Sequence, residues 1–256
     1  MATRGASGKQ PVALHELAYR PALHTPSHPT RWEFPAYLDN PSCRWLQALR
    51  RLYAEPIAFP ASLSPEAGLL LHALVRNVRP RIAIETGTFV GVSTLWIAGA
   101  LAENGDGGRV HSFDTFGPIG RAPWRDVEML TGRREFVEAR IAEAGLDAFV
   151  ALHAGDSADA IRALHGAAFG DGDVAFAFVD GDHSAEGTWR DVLAIEPLLP
   201  TGGFLVLHDT FPDYSSHVGP RAVLDQLEER AAGCYESVDV YLAPVNYGLA
   251  VVRRVG

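Results

Sequence analysis

The segment Arg81–Thr94, RIAIETGTFVGVST, constrains the fold of this chain more than any other stretch. Its first residues are apolar without alternation, which predicts a strand that is covered on both faces of a sheet. Gly87 and Gly91 then bracket a turn in which a ligand can approach the backbone closely. Ser93 and Thr94 can help cap the helix that follows. A strand, a tight turn and a helix N-terminus in this order predict a nucleotide-type pocket.

The spacing of the two glycines favours one class of ligand over another. A pyrophosphate-binding fingerprint reads G-x-G-x-x-G, whereas this turn reads E-x-G-x-x-x-G. Glu85, which we expect to end the strand, stands where a phosphate would be repelled. The expected ligand therefore carries a positive charge or donates hydrogen bonds. A nicotinamide dinucleotide, as used by a dehydrogenase, is the alternative, and the missing third glycine counts against it.

Composition bounds the class of protein. The chain has 256 residues, of which 47% are hydrophobic and 21% charged, as expected of one large α/β domain. Its formal net charge of −9 argues against nucleic acid as a partner. The two cysteines, Cys43 and Cys234, form no metal-spaced cluster, and no apolar run approaches membrane-spanning length. We expect a cytoplasmic protein with no nucleic-acid or membrane partner.

The chain before the glycine turn divides into an arm and two helices. Residues 1–30 have no sustained period and suggest an irregular arm, whereas apolar residues return at helical spacing from Asn40 to Glu55. We assign residues 1–60 to an N-terminal arm and helix that serves as a lid or an oligomer contact, and residues 61–256 to the main domain. The next helix has Ser64 as N-cap, Pro65 at its first position and Pro80 beyond its end.

Two further strands end in polar residues. The second strand stops at Asp114, where an acid is placed to accept both hydroxyls of an adenosyl ribose. The third strand ends near Asp156 and Ser157. Between them, the stretch Gly117–Arg134 is longer than a plain connection needs, and we interpret it as a lid or acceptor-binding insertion. An ordinary surface loop is the alternative. The side chains available there to hold a substrate are Arg121, Trp124 and Arg125.

The chemistry is expected where two buried strands end. One strand stops in Asp180, Gly181, Asp182 and His183, and another stops at the pair His208 and Asp209. Open α/β sheets place their ligands at the carboxyl ends of strands, and neighbouring strands lie about 4.8 Å apart. Two carboxylates this close repel unless a cation or a proton lies between them. Oxygen ligands with room for water suit Mg²⁺.

These motifs resemble those of known methyltransferases over roughly Ser62–Arg254. The E-x-G-x-x-x-G-x-S turn is similar to motif I of the class I S-adenosylmethionine (SAM) O-methyltransferases, in its catechol and caffeoyl-CoA form. The D-G-D step and the later polar pair resemble the metal-dependent methyltransferases that tailor antibiotic sugars and cephalosporins. The resemblance implies an α/β, Rossmann-like fold with helices on both faces of a seven-stranded, mostly parallel sheet, closed by a C-terminal antiparallel hairpin around residues 244–246.

The resemblance also implies ligands for the cofactor and a metal. The implied SAM-binding residues, with Asp156 and Ser157 at the adenine edge, are Glu85, Thr86, Gly87, Gly91, Ser93, Thr94, Asp114, Asp156, Ser157 and Asp180. The implied ligands of a divalent metal, with Mg²⁺ as first choice, are Asp180, His208 and Asp209. The chain departs from the families here, with His208 in place of an acid and Thr210 in place of a metal-binding Asn. Because imidazole suits Zn²⁺ or Fe²⁺ better than Mg²⁺, the identity of the metal and the need for it stay open.

Two residues compete as the catalytic base. Asp182 corresponds to the base of the antibiotic-sugar type, and His183 falls where the catechol type has its catalytic Lys. We favour His183 because the intrinsic pKa of imidazole lies near neutrality. Tyr214 and His217 are expected to contact the acceptor. Tyr241 and Tyr247 are expected either to wall its pocket or to pack in the core.

The function expected from the sequence is methyl transfer from SAM to a hydroxyl of a small molecule, such as a sugar or polyketide of secondary metabolism. We expect a metal-dependent enzyme that assembles as a homo-oligomer. The alternatives are an NAD-dependent oxidoreductase and a non-catalytic SAM-binding protein, which would leave His183 and Asp182 without a role.

Overall fold

The structure, a computed structural model, describes residues 31–122, 125–230, 233–240 and 247–256. Within these residues, seven strands form one sheet in the spatial order β3-β2-β1-β4-β5-β7-β6. The strands are β1 Ile82–Thr86, β2 Arg109–Asp114, β3 Val150–Ala154, β4 Val174–Val179, β5 Phe204–His208, β6 Tyr235–Val240 and β7 Leu249–Arg254. Strand β7 runs antiparallel to β5 and β6, and the other pairs are parallel. The predicted fold is confirmed, including the C-terminal antiparallel pair.

Helices cover both faces of the sheet. In the described part of the chain they are α1 Arg44–Ala54, α2 Pro65–Val78, α3 Val92–Asn104, α4 Arg133–Ala144, α5 Ser157–Leu164, α6 Ala185–Ile195, the short α7 Pro212–Ser215 and α8 Gly219–Arg230. The apolar residues of α1 to α4 share one core cluster with the sheet, and those of α5, α6 and α8 share the other. No helix among the described residues is both long enough and apolar enough to span a bilayer.

The glycine turn differs from the sequence-based expectation at two points. Glu85 does not end the strand, because β1 continues to Thr86. Ser93 and Thr94 do not cap α3: its N-cap is Gly91, at a φ of +93°, with no side-chain cap. The Thr94 hydroxyl instead donates to the buried carboxylate of Glu85, which leaves it unavailable to the helix end. The N-cap of α2 is as expected, since Ser64 Oγ accepts a hydrogen bond from the Ala67 amide.

Helix α1 is part of the main core. Its residues Leu49 and Leu52 are fully buried, and the Trp45 ring packs so closely on α3 that a Cβ on Gly99 would lie 2.7 Å from it. The helix begins at Arg44, four residues later than Asn40. Its role as a lid or an oligomer contact stays a prediction, and the arm of residues 1–30 lies outside the described residues.

The described residues include part of the insertion and part of the C-terminal segment. Residues Ile119 and Met129 pair antiparallel, as do Ala122 and Arg125, so the insertion folds back on itself. Trp124 lies outside the described residues, as do Tyr241 and the hairpin turn at 244–246. Helix α8 begins two residues before the expected Arg221.

Candidate active site

A cavity of about 890 Å³ opens where strands β1 to β5 end. One half is lined by the turns that follow the first four strands of the sheet, and the other half by the segments after β5 and by the insertion. The residues of the first half that we predicted to bind cofactor are Gly87, Asp114, Asp156, Ser157 and Asp180. The second half includes Arg125, Tyr214, His217 and Tyr247.

Gly87 joins the turn after β1 to the end of β4. Its φ is +86°, and a Cβ there would lie 2.0 Å from the carbonyl oxygen of Asp180. The Gly87 amide donates to the Phe113 carbonyl at 2.9 Å, and the Asp180 amide donates to the Thr86 carbonyl at 2.9 Å. Only glycine fits this position, because any side chain would separate the two strand ends.

Glu85 lies behind the cavity wall. Its side chain is fully buried, and Thr94 Oγ1 donates to Glu85 Oε2 at 2.5 Å. Burial raises the pKa of Glu85 to about 7, against the opposing effect of hydroxyls on Ser93, Thr94 and Ser112. Thr86, Gly91, Ser93 and Thr94 likewise are not among the lining residues. Direct contact of these five residues with a cofactor stays a prediction.

Asp114 faces the cavity at the end of β2. Its Oδ2 accepts a hydrogen bond from the Phe89 amide at 2.8 Å, and its Oδ1 accepts one from the Phe116 amide at 2.7 Å. Arg133, at the start of α4, forms an ion pair with the same carboxylate, and both side chains are buried. Arg133 was not predicted from the sequence, where its only signal is its place in the first turn of the helix after the insertion. The ion pair fixes the orientation of Asp114 and compensates its charge.

Asp156 and Ser157 line the cavity where β3 gives way to α5. Asp156 caps α5 by accepting from the Asp159 amide at 3.0 Å, and it forms an ion pair with Arg190. Ser157 Oγ donates to Asp191 Oδ1 at 2.5 Å. Asp191, on α6, is buried, and burial raises its pKa. Asp191 was not predicted from the sequence, because an acid inside an amphipathic helix gives no signal of its burial.

The ends of β4 and β5 bring Asp180, His208 and Asp209 together as expected. The two strands are parallel neighbours, and His208 Nδ1 lies 3.0 Å from Asp180 Oδ1 and 3.4 Å from Asp209 Oδ1. Burial alone would lower the pKa of His208, but the two carboxylates outweigh it and raise that pKa to about 9. Asp209 is 4% exposed, and its Oδ1 accepts no hydrogen bond from any described residue.

The other oxygen of Asp209 faces two further imidazoles. His183 Nδ1 lies 3.3 Å from Asp209 Oδ2, and His217 Nε2 lies 4.0 Å from it. The two rings stack with their centroids 4.3 Å apart. Asp182 lines the cavity beside them, but its Oδ1 accepts from the Ser184 amide at 2.8 Å in the turn that leads into α6.

The insertion contributes a cation to the cavity. Arg125 Nη2 donates to the Gly120 carbonyl at 2.9 Å, and the guanidinium lies 5.7 Å from the ring centroid of Phe89. Arg121 is not a lining residue and instead pairs with Glu128 at 3.6 Å. Of the two arginines predicted to hold a substrate, Arg125 therefore lines the cavity and Arg121 does not.

This fold and cavity define a class of protein. A mostly parallel sheet in this strand order, with an antiparallel β7, a glycine turn after β1 and an acid at the end of β2, is the architecture of a Rossmann-like methyltransferase. Residues 84–210, from β1 to the end of the His208–Asp209 segment, match a family of methyltransferase domains. This segment is a methyltransferase domain of that family. This result favours the methyltransferase prediction over the nicotinamide alternative.

Solved structures with the same fold include three methyltransferases with bound cofactor or product. The O-methyltransferase TomG of Streptomyces achromogenes, involved in tomaymycin synthesis and solved with SAM, is 21% identical, with a TM-score of 0.62 over 85% of this chain and 92% of that one. The O-methyltransferase of Bacillus cereus, solved with S-adenosylhomocysteine (SAH), is 17% identical, with a TM-score of 0.64 over 85% and 93%. An SAH-bound methyltransferase of Podospora anserina is 15% identical, with a TM-score of 0.59 over 86% and 93%. At these identities the likeness is one of fold. No curated protein sequence matches the chain.

Proposed function

We propose that the protein transfers the methyl group of SAM to a hydroxyl of a small molecule, with His183 as the general base. The observation that carries this proposal is the contact between His183 Nδ1 and the buried Asp209 Oδ2, at 3.3 Å, in the same cavity as the proposed cofactor residues. A carboxylate on Nδ1 holds the imidazole in one tautomer and leaves Nε2 to accept a proton.

The reaction is an in-line displacement. The acceptor oxygen attacks the methyl carbon, the bond from that carbon to the sulfonium sulfur breaks, and SAH leaves. The hydroxyl proton goes to His183 Nε2, and the imidazolium that forms is stabilised by Asp209. The protein thus has to hold the donor and the acceptor at close approach and to remove one proton.

His183 suits the role of base better than Asp182. One carboxylate oxygen of Asp182 accepts a hydrogen bond from the Ser184 amide, and a Cβ on Gly187 would lie 2.2 Å from the Asp182 carboxylate. The carboxylate is thus committed to the turn that begins α6. Among the described residues, the His183 side chain makes no comparable hydrogen bond to the backbone. It is 30% exposed and lines the cavity.

Single variants separate the two candidates. We expect His183→Ala to lower kcat by about 100-fold or more while the affinity for SAH, measured by calorimetry, stays unchanged. Asp182→Asn, the matched control, should keep most of kcat because the amide oxygen still accepts from Ser184. A normal kcat for His183→Ala would refute its role as base, and a loss only in the Asp182 variant would transfer that role to Asp182.

A divalent metal at Asp180, His208 and Asp209 is the second part of the proposal. Adjacent ligands of an octahedral Mg²⁺ lie about 3 Å apart, since its bonds are about 2.1 Å long, and the separations of 3.0 and 3.4 Å fit that spacing. Asp209 Oδ1, buried and without a hydrogen bond, fits a metal ligand too. A bound divalent cation would lower the pKa of the acceptor hydroxyl.

His208 makes the need for a metal testable. A protonated imidazole and a metal ion are two ways of neutralising the same two carboxylates, and only neutral His208 can bind a metal. Turnover should therefore be measured after treatment with EDTA and after adding back Mg²⁺ or Mn²⁺. A loss and recovery of activity would support the metal. Unchanged turnover after chelation would exclude it and leave the His208 imidazolium as the cation of the site.

The acceptor that we propose is a secondary metabolite, such as a sugar or polyketide. The cavity has the size of a small-molecule site, and TomG, which shares the fold, is involved in tomaymycin synthesis. Screening hydroxylated natural products with radiolabelled SAM, followed by mass spectrometry of the product, would test this class. Methylation of nitrogen or carbon alone would contradict transfer to oxygen.

We also propose that the protein is a cytoplasmic homo-oligomer. The low cysteine content supports a reducing compartment, and the segment 1–60 is our candidate for an oligomer contact or a lid. Light scattering of the full chain and of a chain that begins at residue 31 would test the contact. An unchanged number of subunits in the truncated protein would exclude the first 30 residues as the contact.

A further inference from the structure

Asp209 presents its two oxygens to two different groups of side chains. Its Oδ1 faces His208 Nδ1, whereas its Oδ2 faces His183 and His217. A carboxylate in this position can bridge two cation sites. We propose that His183, Asp209 and His217 form a second metal site, distinct from the one at Asp180 and His208, and that it takes a transition metal ion.

The spacing of the ligand atoms supports the site. One nitrogen from each imidazole and one oxygen of Asp209 all lie within 4.8 Å of one another. Adjacent ligands of a tetrahedral Zn²⁺ lie about 3.3 Å apart, since its bonds are about 2.0 Å long, and His183 Nδ1 meets that spacing at 3.3 Å from Oδ2. His217 Nε2, at 4.0 Å, needs to move by less than about 1 Å. Its side chain is 44% exposed.

The chemistry of the donors selects the class of ion. Two imidazoles and one carboxylate suit Zn²⁺, Fe²⁺, Co²⁺ or Ni²⁺, and they do not suit Mg²⁺, which prefers oxygen ligands and retained water. The ligands face the cavity, so that water or an acceptor oxygen can complete the coordination.

The backbone brings the two imidazoles together from separate elements. A Cβ on Gly219, at the start of α8, would lie 2.2 Å from the His183 carbonyl oxygen, so the two backbones are in direct contact. The His217 amide donates to Ser215 Oγ at 3.1 Å, which fixes the path of the loop that follows α7. A His–Asp pair that acts only as a base needs one imidazole. A metal site explains why a second imidazole, that of His217, lies near Asp209 Oδ2, whereas a base alone does not.

Occupancy of this site would engage His183. A transition metal ion bound there competes with the proton that His183 accepts, so Zn²⁺ is expected to inhibit methyl transfer where Mg²⁺ does not. Binding of the metal itself does not depend on the proposed reaction. The site can therefore be tested with Co²⁺ alone, and failure of the methyl transfer proposal would leave that test unaffected.

The experiment is a Co²⁺ titration of the full, tag-free chain, followed by the visible absorption of the ion. We expect His217→Ala and His183→Ala to lower the affinity for this ion by at least about tenfold. His208→Ala should keep the absorption band, since it removes a ligand of the other site only. His165→Ala is the matched control for a partly exposed histidine, because His165 pairs with Asp171 away from the cavity.

Two outcomes would overturn the proposal. Unchanged Co²⁺ affinity in both His217→Ala and His183→Ala would show that these imidazoles bind no ion. A loss in His208→Ala as large as that in His217→Ala would place the ion at the first site. SAH affinity of each variant, measured by calorimetry, verifies that the cavity is intact, and His217→Gln repeats the test should the alanine variant fail to fold.

Discussion

Glu85 is a buried acid whose protonation changes near neutral pH. Its pKa is raised by burial from an ordinary 4.5 to about 7, so the folded chain binds this proton more tightly than the unfolded chain does. The resulting stability is complete below pH 4.5, declines as the pH rises towards 7, and is lost above that. The difference corresponds to about 3 kcal/mol.

Glu85→Gln should remove this dependence on pH, because the amide imitates the protonated acid. Relative to wild type, its free energy of unfolding is expected to improve by up to about 3 kcal/mol between pH 4.5 and pH 8. Urea unfolding of both proteins at several pH values measures the difference. Glu135→Gln, at a solvent-exposed position of α4, is the control. Parallel pH profiles for wild type and Glu85→Gln would contradict the prediction.

Asp191 acts through Ser157. Its Oδ1 accepts the Ser157 hydroxyl, and its Oδ2 lies near Gly181, where a Cβ would be 3.1 Å away. It thus contacts two turns that line the cavity, at Ser157 and at Gly181, although it does not line the cavity itself. We expect Asp191→Ala to weaken SAH binding by about tenfold, since one lost hydrogen bond and its orientation are worth about 1.4 kcal/mol. Asp191→Asn should restore much of the affinity, because its amide oxygen can still accept from Ser157.

Calorimetry with SAH measures both Asp191 variants. Asp159→Ala is the control, because Asp159 is an acid of α5 whose side chain is exposed to solvent. Equal SAH affinity in wild type and Asp191→Ala would show that Ser157 keeps its position without this carboxylate.

At the scale of elements, the turn after β1 requires glycine at position 87 for two reasons. One is its backbone conformation, and the other is its close approach to the end of β4. Gly87 and Gly105 both have positive φ, of +86° and +70°. A Cβ on Gly87 would overlap the Asp180 carbonyl, whereas a Cβ on Gly105 meets nothing within 4 Å. Gly105→Ala should therefore cost about 1 kcal/mol, from conformation alone. Gly87→Ala should cost about 3 kcal/mol, because overlap adds to it, and it should also abolish SAH binding.

Thermal unfolding of Gly87→Ala and Gly105→Ala, each with and without SAH, separates the two effects. Equal melting temperatures for the two variants would mean that the end of β4 yields to a side chain at Gly87. Retained SAH binding in Gly87→Ala would exclude the close approach as a requirement for the cofactor.

The sequence predicted where strands end better than what their last residues contact. Asp114, Asp180 and Asp209 follow apolar runs, and strand order alone brings them to one edge of the sheet. The partners Arg133 and Asp191 are distant in sequence, and neither lies in a pattern that shows burial. Glu85 shows the same limit, since its charge indicated a strand end although the residue is buried within β1. Tertiary packing decides such contacts, and a local pattern does not contain it.

At the scale of the whole molecule, the proposed cofactor site lies between four turns. Without a ligand, these turns are connected to one another mainly through the strands of the sheet. One residue at or just beyond the end of each of β1, β2, β3 and β4 lines one half of the cavity, namely Gly87, Asp114, Ser157 and Asp180. A ligand that contacts all four binds the folded chain and not the unfolded one. SAH at 100 times its dissociation constant should therefore stabilise the fold by about 2.7 kcal/mol, which raises the melting temperature by about 5 to 10 °C for a domain of this size.

NAD at the same concentration should leave the melting temperature unchanged, because the turn lacks the third glycine of a dinucleotide site. Asp114→Asn is the variant that localises the effect: its amide loses the ion pair with Arg133 and one acceptor for a ribose hydroxyl. The SAH-dependent increase should shrink in this variant while the ligand-free protein still unfolds cooperatively. An increase with NAD equal to that with SAH would place a dinucleotide in the cavity, and an undiminished increase in Asp114→Asn would remove Asp114 from the site.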